Sequence, residues 1–98
     1  GCSWPVSDQE FSNAKRSITS KTFEDSKLTV AKQVINSNCL FSHQVKEIML
    51  LFDFEDTRLD LAKYAYGYTY DLGNYYKVND AFTFESSIDE LNSYIQSR

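Results

Sequence analysis

Apolar side chains recur along the chain at a spacing of three or four residues, the period of an α-helix with one buried face. Each run of this kind predicts one helix, and there are six runs in chain order. They are Phe11, Ala14 and Ile18; Leu28, Ala31 and Ile35; Val45, Ile48, Met49 and Phe52; Leu59, Ala62 and Tyr66; Tyr75, Val78 and Phe82; and Ile88, Leu91 and Ile95.

The second and fourth predicted helices begin with nearly the same sequence. Residues 22–32 read TFEDSKLTVAK, residues 53–63 read DFEDTRLDLAK, and a shorter third copy, TFES, begins at residue 83. The copies are 31 and 30 residues apart, a step typical of repeats built from two helices. We therefore predict an all-α fold of three stacked helix hairpins, formed by an internal repeat and filling one domain over residues 1–98.

Each copy contains residues that commonly begin helices. Thr22, Asp53 and Thr83 are predicted N-caps, because their side-chain oxygens can accept from the unpaired amides of the first turn. The Phe beside each cap is predicted to pin the turn into the core. The other predicted start and stop signals are Ser7 with Glu10, Ser42, Asn74, Ser87 with Glu90, and Gly73 as the end of the fourth helix.

The fourth predicted helix, from Glu55 to Tyr70, is apolar on two faces. A helix of this kind packs between neighbours on both sides, so we place it in the middle of the stack. Its two faces carry Leu59, Ala62, Tyr66 and Tyr70, and Leu61, Tyr64, Ala65 and Tyr68.

Several stretches together resemble the domain-of-unknown-function family 4476. They are FEDSKLTVAKQ, SHQVKEIMLLFDFEDTRLDLAKYAY, YDLGNYYKVNDAFTFESS and IDELNSYI, within the region from Ser7 to Ile95. The resemblance implies a small helical domain that is often part of exported Bacteroidota proteins. It implies no catalytic residue, so the function has to be argued from the residues themselves.

The composition excludes two classes of partner. The net charge is −4, and no basic patch is present in the sequence to neutralise nucleic-acid phosphates. The longest apolar run, from Ile48 to Phe52, is far shorter than the roughly 20 residues of a membrane-spanning helix. We therefore expect no nucleic-acid partner and no transmembrane segment in this chain.

Cys2 and Cys39 are the only cysteines. In an exported protein they are expected to form a disulfide, worth about 4 kcal/mol in the chain-entropy model, whereas in a reducing compartment they would remain thiols. The chain begins at Gly1 without a signal sequence, as a mature or truncated protein does, and any signal peptide or lipid anchor would lie upstream. A secreted, periplasmic or cell-surface location is expected.

Residues that could carry chemistry are few. His43, the single histidine, follows Cys39 by four residues, but the paired ligand spacings of zinc sites and an orienting group for a Cys–His nucleophile are absent. The acids from Asp53 to Asp60 are explained as helix-start residues, and the turn at Asp71 lacks the ligand series of a calcium loop. No metal or cofactor is expected. A small hydrolase or metal-dependent enzyme using His43 and scattered carboxylates is the alternative function.

Six of the seven tyrosines lie between Tyr64 and Tyr76. Their helical spacing is typical of residues that fill a seam between helices, while an exposed tyrosine suits a binding surface. We predict that Tyr68, Tyr70, Tyr75 and Tyr76 remain partly exposed and bind a protein segment or a small ligand, with Asp71 and Asp80 at the rim. The predicted function is a non-enzymatic interaction module, either alone or as an accessory domain of a longer exported polypeptide.

Overall fold

Helices account for most of the computed structural model, which describes residues 2–98. The one β pairing within those residues is an isolated parallel bridge between Leu40 and Thr69. The all-α prediction and its six helices are therefore confirmed, while the internal repeat stays a prediction. The helices are α1 (Asp8–Thr19), α2 (Glu24–Ser37), α3 (Ser42–Met49), α4 (Glu55–Ala65, continued by a 3₁₀ turn over Tyr66–Tyr68), a 3₁₀ helix (Leu72–Ala81) and α5 (Glu85–Gln96).

The helices form two layers, one of α1, α3 and the 3₁₀ helix and the other of α2, α4 and α5. Within the first two hairpins, α1 packs against α2 and α3 packs against α4. Between hairpins, α4 packs against α2 and α5, and the 3₁₀ helix packs against α3. Helix α4 therefore lies in the middle of its layer, as its two apolar faces predict.

The core lies between the two layers and is centred on α3 and α4. Burying such side chains is the main favourable contribution to folding. The largest apolar side chains that are fully buried are Phe52, Ile18, Ile35, Leu40, Ile48, Met49, Leu61, Val45 and Val78.

The N-caps of α2, α4 and α5 differ from the prediction. The caps are Phe23, Phe54 and Phe84, each one residue after the predicted Thr or Asp, and a phenylalanine side chain has no oxygen that could accept from an amide. The chain entering α5 is held instead by a carboxylate of the preceding hairpin, since Glu55 accepts from the N–H groups of Thr83 and Phe84.

The three cap phenylalanines point toward solvent, whereas the prediction placed them in the core. Their rings are exposed, at 74% for Phe23, 63% for Phe54 and 59% for Phe84. They do not pin the turns into the core, because core positions next to these turns are already filled, for example by Phe52.

The Ser7–Glu10 capping box at α1 is confirmed. Ser42 lies instead in the first turn of α3, where its N–H donates to Asp71 Oδ1 at 2.7 Å. Asn74 lies inside the 3₁₀ helix and donates to Asp71.

Ser87, which was predicted to be an N-cap, is not one. It lies within α5 and its hydroxyl donates to Glu55, while Glu90 pairs with Lys63 on the surface. For Ser42 and Ser87, the predicted local caps are thus replaced by contacts with other hairpins.

Helix α4 ends at Ala65 rather than at Tyr70. Leu40 donates to Tyr68 O and accepts from the N–H of Tyr70, and between these two hydrogen bonds Thr69 is extended. The Thr69 hydroxyl donates to Ala65 O and satisfies a carbonyl of the last helical turn. Gly73 is not the stop signal, because it lies inside the 3₁₀ helix with a φ outside the left-handed region.

Cys2 and Cys39 form a disulfide, with their Cα atoms 5.7 Å apart. The N–H of Val6 donates to Cys39 O at 2.8 Å, so the N-terminal segment is joined to the end of α2 by one covalent bond and one hydrogen bond. Among residues 2–98, no helix is both long and apolar enough to cross a membrane.

Candidate functional site

Tyr75 belongs to the core, so its predicted exposure is wrong. Only 4% of the residue is exposed. Its hydroxyl donates to Ala62 O at 2.5 Å, and its ring packs edge-on against Tyr66. Burial, followed by the nearby Tyr66 phenol, raises the pKa of Tyr75 well above the usual value of a tyrosine, so the phenol stays neutral.

The other three predicted tyrosines lie in three different places. Tyr68 is half-buried, and its hydroxyl donates to Asn36 Oδ1 at 2.9 Å. Tyr70 is exposed and packs edge-on against Phe41. Tyr76 is 66% exposed and borders a cleft between the 3₁₀ helix and α5. The structure does not gather the four tyrosines into one surface, and a binding role for each stays a prediction.

This cleft has a volume of about 400 Å³ and exists because the third hairpin is open. Helix α5 packs mainly against α4, whereas the helices of the first two hairpins pack directly against each other. The residues that line the cleft are Tyr66, Leu72, Tyr75, Tyr76, Asn79, Ile88, Asp89, Leu91, Asn92 and Ile95.

The cleft combines apolar walls with polar groups. Among its apolar lining residues, Tyr75 and Leu91 are buried and Leu72, Ile88 and Ile95 are half-buried. The lining residues with polar groups are Tyr76, Asn79, Asp89 and Asn92. An apolar pocket with a few polar groups is the usual form of a small-ligand site.

A positive charge lies beside the same cleft. The guanidinium of Arg98 is 5.3 Å from the centre of the Tyr66 ring and 5.8 Å from that of Tyr94. Asp89, of the opposite charge, belongs to the cleft lining, whereas Arg98 contacts the lining residue Tyr66 without being part of the lining itself. The arrangement suits binding by contact and hydrogen bonding.

The residues of the enzyme alternative lie elsewhere. His43 is exposed on α3, stacks on Phe41 and lies with Nδ1 3.3 Å from Glu47. Burial disfavours the Glu47 carboxylate, but hydrogen bonds from Lys15 and His43 outweigh it and lower the pKa of Glu47. Cys39 is bonded to Cys2 and offers no thiolate. Within residues 2–98, no three His, Cys, Asp or Glu side chains are grouped closely enough to hold a metal ion.

Asp71, which was predicted to lie at the rim of the tyrosine surface, has a structural role. Its carboxylate accepts from the Ser42 N–H and from the Asn74 side chain. Burial opposes its charged form, but these hydrogen bonds outweigh it and lower the pKa of Asp71. Asp80, the other rim residue, is exposed near Lys46.

The sequence contains a signal for the cleft that the periodicity argument missed. In the repeat alignment, Asp89 stands where the first two copies have Leu28 and Leu59. Asn92 stands where they have Ala31 and Ala62, both buried. Polar residues at these two positions indicate that the third copy does not close as the others do.

Fold and cleft together define a small all-α domain of helix hairpins with one open hairpin. The chain belongs to the family described as a domain of unknown function (DUF4476), whose sequence model matches residues 5–95. No curated protein and no solved structure matches the chain.

Proposed function

We propose that this domain is a non-enzymatic binding module that holds its ligand in the cleft of the third hairpin. The observation that supports this proposal is the opening itself. Two positions that are apolar in the first two copies are polar here, and they line a cleft of about 400 Å³. This volume lies in the range of roughly 300–1,000 Å³ usual for ligand pockets.

The lining suggests the kind of ligand. Tyr66 and Ile88 offer apolar contact, and Asn79, Asn92 and Asp89 offer hydrogen-bond donors and acceptors. We infer a compact ligand with an apolar body and several hydrogen-bonding groups, such as a small molecule or one side chain of a partner protein. The cleft favours binding over the hydrolase or metal-enzyme alternative, because His43 and Glu47 lie on α3 and outside the cleft lining.

An exported location is part of the proposal. The Cys2–Cys39 disulfide would form and persist in an oxidising compartment, where small domains commonly rely on such bonds. In this setting the domain acts either alone or as an accessory domain of a longer polypeptide.

The test is a screen of small ligands by amide chemical shifts on the labelled protein. Binding in the cleft shifts the amides of Asn79, Asp89 and Asn92. The variant D89L/N92A restores the apolar pattern of the first two copies, so it should fold and lose the ligand. Tyr76→Ala should weaken binding by about 2 kcal/mol, the cost of a contact that matters at a binding site.

Tyr70→Ala is the matched control, since Tyr70 is also exposed but lies outside the cleft lining. It should bind the ligand as the unaltered protein does. If ligands shift amides elsewhere, or bind D89L/N92A with unchanged affinity, the cleft is not the binding site.

A further inference from the structure

The exposed phenylalanines Phe23, Phe54 and Phe84, here called the phenylalanine row, are the N-caps of α2, α4 and α5. Single exposed apolar residues are ordinary on a protein surface. These three occupy the same position in the three copies, and 59% or more of each is exposed. Their recurrence at one exposed position points to an interaction surface rather than to scattered surface residues.

Hydrogen bonds between hairpins place the three side by side. Glu24, which follows Phe23, accepts from the N–H of Asp53, which precedes Phe54. Glu55, which follows Phe54, accepts from the N–H of Phe84 at 3.0 Å. The helices that begin at these residues are packing neighbours, and packed helices lie about 8–10 Å apart. The cap positions that carry the rings are therefore spaced by roughly 9 Å along the row.

The surroundings of the row are acidic. The side chains of four exposed acids lie within two residues of a row member, and none of the four forms an ion pair with any residue between 2 and 98. Two nearby bases are used inside the fold, since Lys27 donates to Leu51 O and Arg58 donates to Ala81 O. Lys21 is the one exposed base within two residues of a row member, and it forms no ion pair with residues 2–98. The four acids outnumber it, which leaves a negative surface that favours a cationic partner. The four acids are Asp25, Asp53, Asp56 and Glu85.

The spacing selects the shape of that partner. A polyproline II segment has three residues per turn and rises about 3.1 Å per residue, so every third side chain faces the same side about 9 Å further on. Proline-rich segments of this shape bind exposed aromatic rings at low entropic cost. We propose that the phenylalanine row binds an extended, lysine- or arginine-containing segment with proline at every third position.

The probe is a fluorescent peptide of about nine residues that repeats Pro-Lys-Ser, which is the period that the row should match. Fluorescence anisotropy at low salt should show saturable binding. A peptide of the same composition with its prolines clustered at one end should bind about tenfold more weakly, and one with Glu in place of Lys should not bind. Equal binding of the clustered peptide would overturn the proposal.

The decisive variant is Phe54→Ser. Serine is a preferred N-cap, so the protein should keep its melting temperature while losing the central ring and about tenfold in affinity for the peptide. D53N/D56N should weaken binding and flatten its dependence on salt. Tyr76→Ala should leave peptide binding unchanged, which separates this site from the cleft.

Binding of either of two other partners to the phenylalanine row would contradict the proposal. If the protein dimerises in sedimentation and Phe54→Ser abolishes the dimer, the row binds a second copy instead. If the protein cosediments with phosphatidylcholine vesicles and the same variant does not, the row binds a lipid surface. Unchanged peptide affinity in Phe54→Ser would also overturn it.

Discussion

The second and third hairpins correspond to each other in the predicted repeat but have different arrangements. In the second, α3 packs along α4 and the contact is apolar. In the third, the first helix is a 3₁₀ helix, and α5 leaves a cleft of about 400 Å³ beside it. In the alignment Asp89 and Asn92 stand at the positions of Leu59 and Ala62, so the open hairpin has polar residues where the closed one has apolar residues.

The same comparison extends to the contacts that each copy makes with the next. Glu55 and Arg58 reach forward from the second copy, to the N–H of Phe84 and to Ala81 O. At the corresponding positions the third copy has an exposed Glu85 and a half-buried Ile88 that lines the cleft. Arg58 thus links two hairpins, whereas Ile88 at the corresponding position of the third copy lines the cleft.

The largest difference is expected between Leu61 and Leu91, which are equivalent in the alignment and both buried. Leu61→Ala leaves a closed cavity and should cost about 4 kcal/mol of unfolding free energy, whereas Leu91→Ala only enlarges an open cleft and should cost about 2 kcal/mol. Denaturant unfolding of both variants gives the two values. Equal costs, or a larger cost for Leu91→Ala, would show that the third hairpin is as closed as the second.

A smaller difference is expected between Glu55 and Glu85. Burial disfavours the Glu55 carboxylate, but hydrogen bonds from Thr83, Ser87 and Phe84 outweigh it and lower its pKa from the usual 4.5. The unfolded chain therefore binds a proton more readily, so this contribution is complete above about pH 5 and is lost as the pH falls through the lowered pKa.

Glu55→Gln should cost about 1–2 kcal/mol at pH 7 and make unfolding less dependent on pH between 3 and 5. Glu85→Gln is the matched control and should change neither quantity, since Glu85 is exposed. Thermal melts across this pH range test both variants. An identical pH profile for Glu55→Gln and the unaltered protein would contradict the role of the carboxylate.

The smallest difference separates two adjacent tyrosines at the cleft. Tyr75→Phe removes the hydrogen bond to Ala62 O and should cost about 1 kcal/mol of unfolding free energy. Tyr76→Phe removes an exposed hydroxyl and should stay within about 0.5 kcal/mol. Denaturant unfolding measures both, and a larger cost for Tyr76→Phe would mean that the exposed tyrosine, rather than the buried one, supports the fold.

Much of the fold could be predicted from the sequence because it depends on residues close together along the chain. Helical periodicity places all six helices, and Ser7 with Glu10 forms a cap across three residues. The two apolar faces of α4 follow from the same period, so its central place was predictable. A single pair of cysteines leaves only one disulfide to predict, Cys2–Cys39.

The candidate site was predicted only in part. Tyr76 does border the cleft, but Tyr75 is buried, and Tyr68 and Tyr70 lie outside its lining. A period of 3.6 residues places tyrosines on helix faces but does not say which face a neighbour covers. Asp89 and Asn92 are visible in the sequence as polar residues at positions that are apolar in the first two copies. Their relation to the cleft, however, can be recognised only by comparison with the packing of the first two hairpins.

By itself, the sequence determined the helices, since backbone hydrogen bonds within a helix join residues only four positions apart. Tertiary structure decided where α4 ends, which residues cap the later helices and why three phenylalanines face solvent. These features depend on partners distant in the chain, such as Glu55 with Phe84, 29 residues apart. A local sequence pattern cannot specify such a contact, because the two residues come together only when the hairpins pack.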